Sequence, residues 1–132
     1  MRLFIADDSE ILRERLADIL SEIEGVEIIG QGEDTIGVIK AVKRLHPDLV
    51  ILDIRMPGGN GILVLETLKK MENPPLVIMF TNYPNLQYRM RCLGAGADFF
   101  FYKATEFEKL IDAVRKSEKA YRQNKEKVPE VS

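Results

Sequence analysis

The 132-residue chain predicts a doubly wound α/β domain, and three observations carry that prediction. Short apolar runs alternate with helical patterns through five consecutive units, as buried parallel strands and their crossover helices do. Turn residues such as Asn73-Pro74-Pro75 and Gly94-Ala95-Gly96 separate the units. Four of the runs also end on a polar residue. Leu3–Ala6 leads into Asp7-Asp8, Leu49–Leu52 into Asp53, Leu76–Phe80 into Thr81, and Phe99–Tyr102 into Lys103.

The first strand is expected over about Arg2–Ala6, followed by a helix capped by Ser9 with an apolar face of Ile11, Leu12, Leu16, Ile19, Leu20 and Ile23. Glu24-Gly25 stops it. Val26–Gly30 forms the second strand and Gln31-Gly32-Glu33 a loop. The second helix carries Ile36, Ile39, Val42 and Leu45, and His46-Pro47 ends it. After the third strand, Leu49–Asp53, Met56–Gly61 reads as a long turn, and the next helix faces Ile62, Leu65, Leu68 and Met71 inward. The fourth strand ends at Thr81, and the fourth helix spans about Asn85–Leu93. A last helix with Phe107, Leu110, Ile111 and Val114 at helical spacing follows the fifth strand. Residues 1–120 make one domain. Beyond about Lys119 the pattern fades into a frayed helix end and a solvated tail, 121–132.

Right-handed crossovers and a sheet covered on both faces give five strands the common order 2-1-3-4-5, with a switch point between strands one and three. Ligands of such sheets bind outside the carboxyl ends of the strands. With strands about 4.8 Å apart, Asp7-Asp8 and Asp53 sit side by side, Thr81 lies one strand further, and Lys103 reaches back on its long stem. Three carboxylates, a hydroxyl and an ammonium converge on one rim. The acids repel one another unless a cation joins them, and Mg²⁺ favours such oxygen ligands. An Asp carboxylate can attack a phosphoryl group, with positive charge and hydrogen-bond donors stabilising the transferred oxygens. Simpler readings exist: Asp8 as a helix cap, and Lys103–Asp53 as a salt bridge. The salt bridge leaves the acidic pair and Thr81 unexplained.

Composition narrows the classes. Hydrophobic content of 45% and charged content of 30% suit a globular domain, and a net charge of −2 argues against nucleic acid or anionic membrane as a default partner. No apolar run approaches the roughly 20 residues needed to span a bilayer. Met1 leads straight into a strand, so no secretory signal is expected and the chain is read as cytoplasmic. Cys92 has no partner for an internal disulfide and reads as a packing residue. The lone His46 sits in a helix-to-strand turn, a poor place for a phosphorelay histidine.

Over about Met1–Lys119 the chain resembles the receiver domain of the two-component response-regulator family, a flavodoxin-like fold. The resemblance rests on Asp7-Asp8, Asp53–Gly61, Thr81, and Gly94–Lys103, in that order at those strand ends. It implies that Asp53 is the phosphoacceptor. It also implies that Asp8, Asp53 and the Arg55 carbonyl ligate Mg²⁺, with Asp7 acting through a metal-bound water. Thr81 and Lys103 contact the phosphoryl oxygens, and Thr81 and Phe100 form the switch, Phe100 moving inward on phosphorylation. The implied partners are a sensor histidine kinase or phosphotransfer protein, a downstream effector not named by the sequence, and a second copy docked through the fourth helix, fifth strand and fifth helix. Arg55, Asn82 and Tyr83 flank the site as tuning residues. Two positions depart from the family: Ala104 stands where proline is usual, and Asn82 where a small residue is usual.

Other classes fit less well. A haloacid-dehalogenase-like phosphatase needs an acid two residues after its nucleophile, where Arg55 stands. A flavodoxin-like electron carrier needs a Ser/Thr/Gly-rich phosphate loop after the first strand. A phosphorylation-independent docking module normally lacks one of the site residues, yet all are here, so it ranks second. The expected protein is a phosphoacceptor switch and not an enzyme with external turnover.

Overall fold

The computed structural model describes residues 1–83 and 85–127. Its elements are β1 (Arg2–Ala6), α1 (Glu10–Ser21), β2 (Glu27–Gly32), α2 (Thr35–Leu45), β3 (Leu49–Leu52), β4 (Arg55–Met56), β5 (Gly59–Asn60), α3 (Gly61–Lys69), β6 (Leu76–Thr81), α4 (Leu86–Gly94), β7 (Phe99–Tyr102) and α5 (Phe107–Lys127). The five main strands are parallel in the order β2-β1-β3-β6-β7, the expected topology with its switch point between β1 and β3.

Alternation along the strands divides the core between the two sheet faces. Phe4, Val50, Leu52, Val77, Met79 and Phe100 point to one side, with Val38, Val42, Leu65 and Leu68. Leu3, Ile5, Leu49, Ile51, Ile78 and Phe80 point to the other, with Leu16, Leu20, Leu110 and Val114. β3 is buried on both faces, which is why its sequence is apolar without a break.

Helix starts follow their caps. Ser9, Asp34, Asn60 and Asn85 each accept a backbone N–H from the first turn of α1, α2, α3 and α4. Ser9, not Asp8, therefore caps α1. His46 closes α2 in the left-handed region at φ 50°. Cys92 is fully buried, and that burial pushes its thiol up to about 11, in keeping with a packing role.

Four expectations are corrected. Ile11 and Ile36 are 75% and 61% exposed, because the inward arcs of α1 and α2 centre on Leu16/Leu20 and Val38/Val42. The segment read as a long turn contains a two-residue antiparallel hairpin, β4 with β5. β2 begins at Glu27 and extends to Gly32, taking in part of the expected loop. α5 continues to Lys127, well past Lys119, while residues 128–132 of the expected tail lie outside the described residues.

No helix among the described residues is long and apolar enough to cross a membrane.

Candidate functional site

Register builds the site. Ala6 pairs with Leu52, so the next residues, Asp7 and Asp53, leave adjacent strands together. The Asp53 N–H donates to Ala6 O at 3.1 Å, holding the two exits in step. Thr81 pairs with Tyr102, and the Lys103 N–H donates to Thr81 O at 2.9 Å, bringing the fourth and fifth polar groups to the same end of the sheet.

Asp7 and Asp53 are only 3% and 5% exposed, whereas Asp8 faces solvent. Each of the three can direct a carboxylate oxygen to within 4.8 Å of the others. The Lys103 ammonium stands between the buried pair, 2.6 Å from Asp7 Oδ2 and 2.7 Å from Asp53 Oδ2. Asp7 Oδ1 also accepts the Ser9 N–H at 2.8 Å. Burial holds the Asp7 carboxyl above its usual range despite these donors. Burial alone would pull the Lys103 ammonium down, but its bonds to Asp53 and Asp7 outweigh that and hold it up. Lys103 is thus a fixed cation in an acidic corner. The remaining donors are all oxygen and one acid is open to water, a set that fits a hard divalent cation.

A cleft of about 420 Å³ opens above these groups, lined by Asp8, Asp53, Arg55, Thr81, Asn82, Tyr83 and Lys103. A larger groove of about 620 Å³ lies at the opposite end of the sheet, beside Pro47, Pro74 and Tyr121. It holds none of the converging groups, so the strand carboxyl ends carry the chemistry.

Thr81 is 1% exposed, and its Oγ1 accepts the Tyr83 N–H at 3.3 Å. Asn82 is exposed on the cleft wall. The Arg55 N–H approaches Asp53 Oδ1 at 3.4 Å, while its Nε donates to Tyr83 Oη at 3.1 Å. Phe100 is buried at 3% beneath α4, with the Arg89 guanidinium 5.6 Å from its ring centroid. Phe100 is thus packed inward in this structure. The Lys103–Ala104 bond is trans, as is every peptide bond among the described residues.

Sequence reasoning missed three supporting residues. A Cβ on Gly61 would lie 1.8 Å from the Asp53 carbonyl oxygen, so only glycine lets α3 start this close behind Asp53. Glu106 Oε1 accepts the Tyr102 N–H at 3.1 Å, fastening the end of β7 beside Lys103. Thr35 donates its N–H to Pro57 O at 3.0 Å and ties the β4–β5 turn to α2. The glycine that ends the Asp53–Gly61 segment was a usable signal; the other two were not visible without the fold.

An acidic corner with a half-buried ammonium and a buried hydroxyl stands at the switch point of a five-stranded doubly wound sheet. Residues 3–115 match the response regulator receiver domain, and the chain belongs to that family. It is 36% identical over 122 residues to the uncharacterized transcriptional regulatory protein YvfU of Bacillus subtilis, covering 92% of this chain and 61% of YvfU. The chain thus spans less than two thirds of that relative's length. Among solved structures it is similar to a DNA-binding response regulator of the LuxR family from Staphylococcus aureus (26% identity, TM-score 0.82, covering 89% of this chain and 98% of that one). It is also similar to a chain of the CheX–CheY–BeF₃–Mg²⁺ complex of Borrelia burgdorferi (27% identity, TM-score 0.75, covering 86% and 88%).

Proposed function

We propose that Asp53 accepts a phosphoryl group from the phosphohistidine of a sensor kinase or phosphotransfer protein, and that the modified surface signals to a downstream effector. The observation that carries this reading is the setting of the Asp53 carboxylate. It is nearly buried, lies beneath an open cleft, and is paired with Lys103 at 2.7 Å. An Asp53 oxygen attacks phosphorus in line, and the imidazole leaves as its N–P bond breaks. Lys103 and Thr81 receive the phosphoryl oxygens and balance their charge.

Asp8, Asp53 and the Arg55 carbonyl are the residues that would hold Mg²⁺, with Asp7 acting through water. Bound there, the ion supplies further positive charge to the transferred group. Thr81 is the switch hydroxyl, and Asn82, Arg55 and Tyr83 tune the lifetime of the acyl phosphate from the cleft wall. The domain turns over no external product and is not an enzyme in that sense. Its setting is the cytoplasm, with neither nucleic acid nor membrane as its own ligand.

Acetyl phosphate with Mg²⁺ should add one phosphoryl group by mass to the parent and none to Asp53→Asn. Equal labelling of the variant, or labelling in chelator, overturns the assignment.

Self-association belongs to the same reading. The side chains of Phe99–Tyr102 on the edge strand β7 are buried or half-buried under α4 and α5, and the exposed apolar residues nearby are Leu86, Met90 and Leu93 on α4. The face of α4, β7 and α5 docks a second copy, more tightly once loaded. Sedimentation should show a heavier species with beryllofluoride; unchanged mass removes this contact.

A further inference from the structure

Tyr83 touches both the candidate site and α4. Its hydroxyl accepts from Arg55 Nε at 3.1 Å, and the Arg55 guanidinium carbon lies 4.9 Å from its ring centroid. Its N–H donates to Thr81 Oγ1. Its ring stands edge-on to Tyr88 of α4, with centroids 5.2 Å apart and planes at 64°. The aromatic on β7 that would carry such a link, Phe100, is already buried and covered by Arg89.

We infer that Tyr83 couples the state of Asp53 to α4 through the chain Arg55–Tyr83–Tyr88; this rests on the phosphoacceptor reading of Asp53. Arg55 is exposed and shares the cleft with Asp53. A phosphoryl group on Asp53 places close to two negative charges and several acceptor oxygens beside that guanidinium. Pairing with such oxygens is charged on both sides, whereas the bond to the phenol is charged on one side only, and the planar guanidinium suits the anion. A phenol hydroxyl is the weaker competitor, so Arg55 leaves Tyr83 when the site is loaded. Tyr83 then loses both the hydrogen bond and the cation over its ring, while its edge contact with Tyr88 persists. The tyrosine pair resettles, and the N-terminal turns of α4 move with it. This is a population shift biased by one differential contact, the requirement for coupling between sites. Tyr83 acts here as a positioning residue: it meets the phosphoryl group only through Arg55.

The test is a set of amide NMR spectra of the full chain, with and without beryllofluoride and Mg²⁺. Amides of Thr81 and Lys103 report loading of the site, and amides of Leu86–Gly94 report α4. In the parent both sets should shift. In Tyr83→Phe, which removes only the hydroxyl, the unloaded α4 amides should already lie toward their loaded parental positions. Their further response, normalised to loading, should fall by about threefold or more. A Tyr83→Phe protein with parental α4 positions and response overturns the coupling, as does a parent whose site loads while α4 stays still. A parent whose site amides do not respond would instead overturn the phosphoacceptor reading beneath it.

Discussion

Lys103 Nζ lies 2.7 Å from Asp53 Oδ2, and that contact makes the lysine the internal counter-ion of the residue it is proposed to serve. The same ammonium reaches Asp7 at 2.6 Å, so one cation is shared between two nearly buried acids. Removing one partner of a buried pair leaves an uncompensated charge, typically at a cost of about 3–5 kcal/mol. Lys103→Met keeps most of the stem and deletes the charge. We expect it to lower metal-free stability by roughly 3 kcal/mol, with much of the loss recovered in Mg²⁺. Urea unfolding with and without the ion measures both quantities. Parental stability in chelator would show that the lysine does not hold the acids together.

Gly61 governs where Asp53 sits. Its missing Cβ would meet main-chain atoms, the Asp53 carbonyl oxygen at 1.8 Å and carbon at 2.7 Å, not a flexible side-chain tip. The backbone must move to admit a methyl group. Overpacking of this kind typically costs about 1–3 kcal/mol, and we expect Gly61→Ala near the top of that range. Because the displaced atoms belong to the phosphoacceptor, the rate of labelling by acetyl phosphate should fall as well. Thermal unfolding and a labelling time course check the two effects, and an Ala variant matching the parent in both would refute the close-approach argument.

Glu106 gives the pH dependence. Its carboxylate accepts from Lys109 Nζ at 3.0 Å and from the Tyr102 N–H, and these bonds, Lys109 first, hold it below its ordinary value of 4.5. A group whose folded pKa is lowered contributes stability above its unfolded value and loses it as pH falls through the folded one. Glu106→Gln should therefore be less stable than the parent at pH 7, by about 1 kcal/mol. The difference should hold down to about 4.5 and close below it. Unfolding free energies of both proteins across pH 3–7 test this; a gap independent of pH would assign the loss to geometry instead of charge.

Much of this molecule is legible from its strands. Four of the five main runs are apolar up to a polar residue at or just past the strand end, so the ends of β1, β3, β6 and β7 placed Asp7, Asp53, Thr81 and Lys103 on one rim. Helix periodicity was less exact. Ile11 and Ile36 fit an apolar stripe by spacing, but each sits in the first turn of its helix, outside the arc that centres on Leu16/Leu20 and Val38/Val42. The β4–β5 hairpin is two residues long and lies among glycines, which looks like a loop in any window. Contacts across many residues were invisible for a different reason. Arg55 and Tyr83, for example, are 28 positions apart. Such pairs are written in the topology.

We expect Asn82 to influence how long a phosphoryl group on Asp53 lasts. It follows the buried Thr81, is exposed, and lines the cleft over Asp53 with Tyr83 and Arg55. An acyl phosphate decays when water attacks phosphorus opposite the Asp53 oxygen, so the approach from the cleft controls the rate. A small residue at this position leaves that approach open; the Asn82 amide adds bulk and a donor for a phosphoryl oxygen. The opposing effect, an amide that orients the attacking water, demands a narrow geometry, whereas obstruction does not. Shielding should prevail. We expect Asn82→Ala to lose its phosphoryl group faster than the parent by about 3- to 10-fold, equivalent to roughly 0.7–1.4 kcal/mol in the barrier. The decay of labelled protein after removal of acetyl phosphate gives the rate directly. Slower decay would show that Asn82 assists hydrolysis, and an unchanged rate would move control to Arg55 and Tyr83 across the cleft.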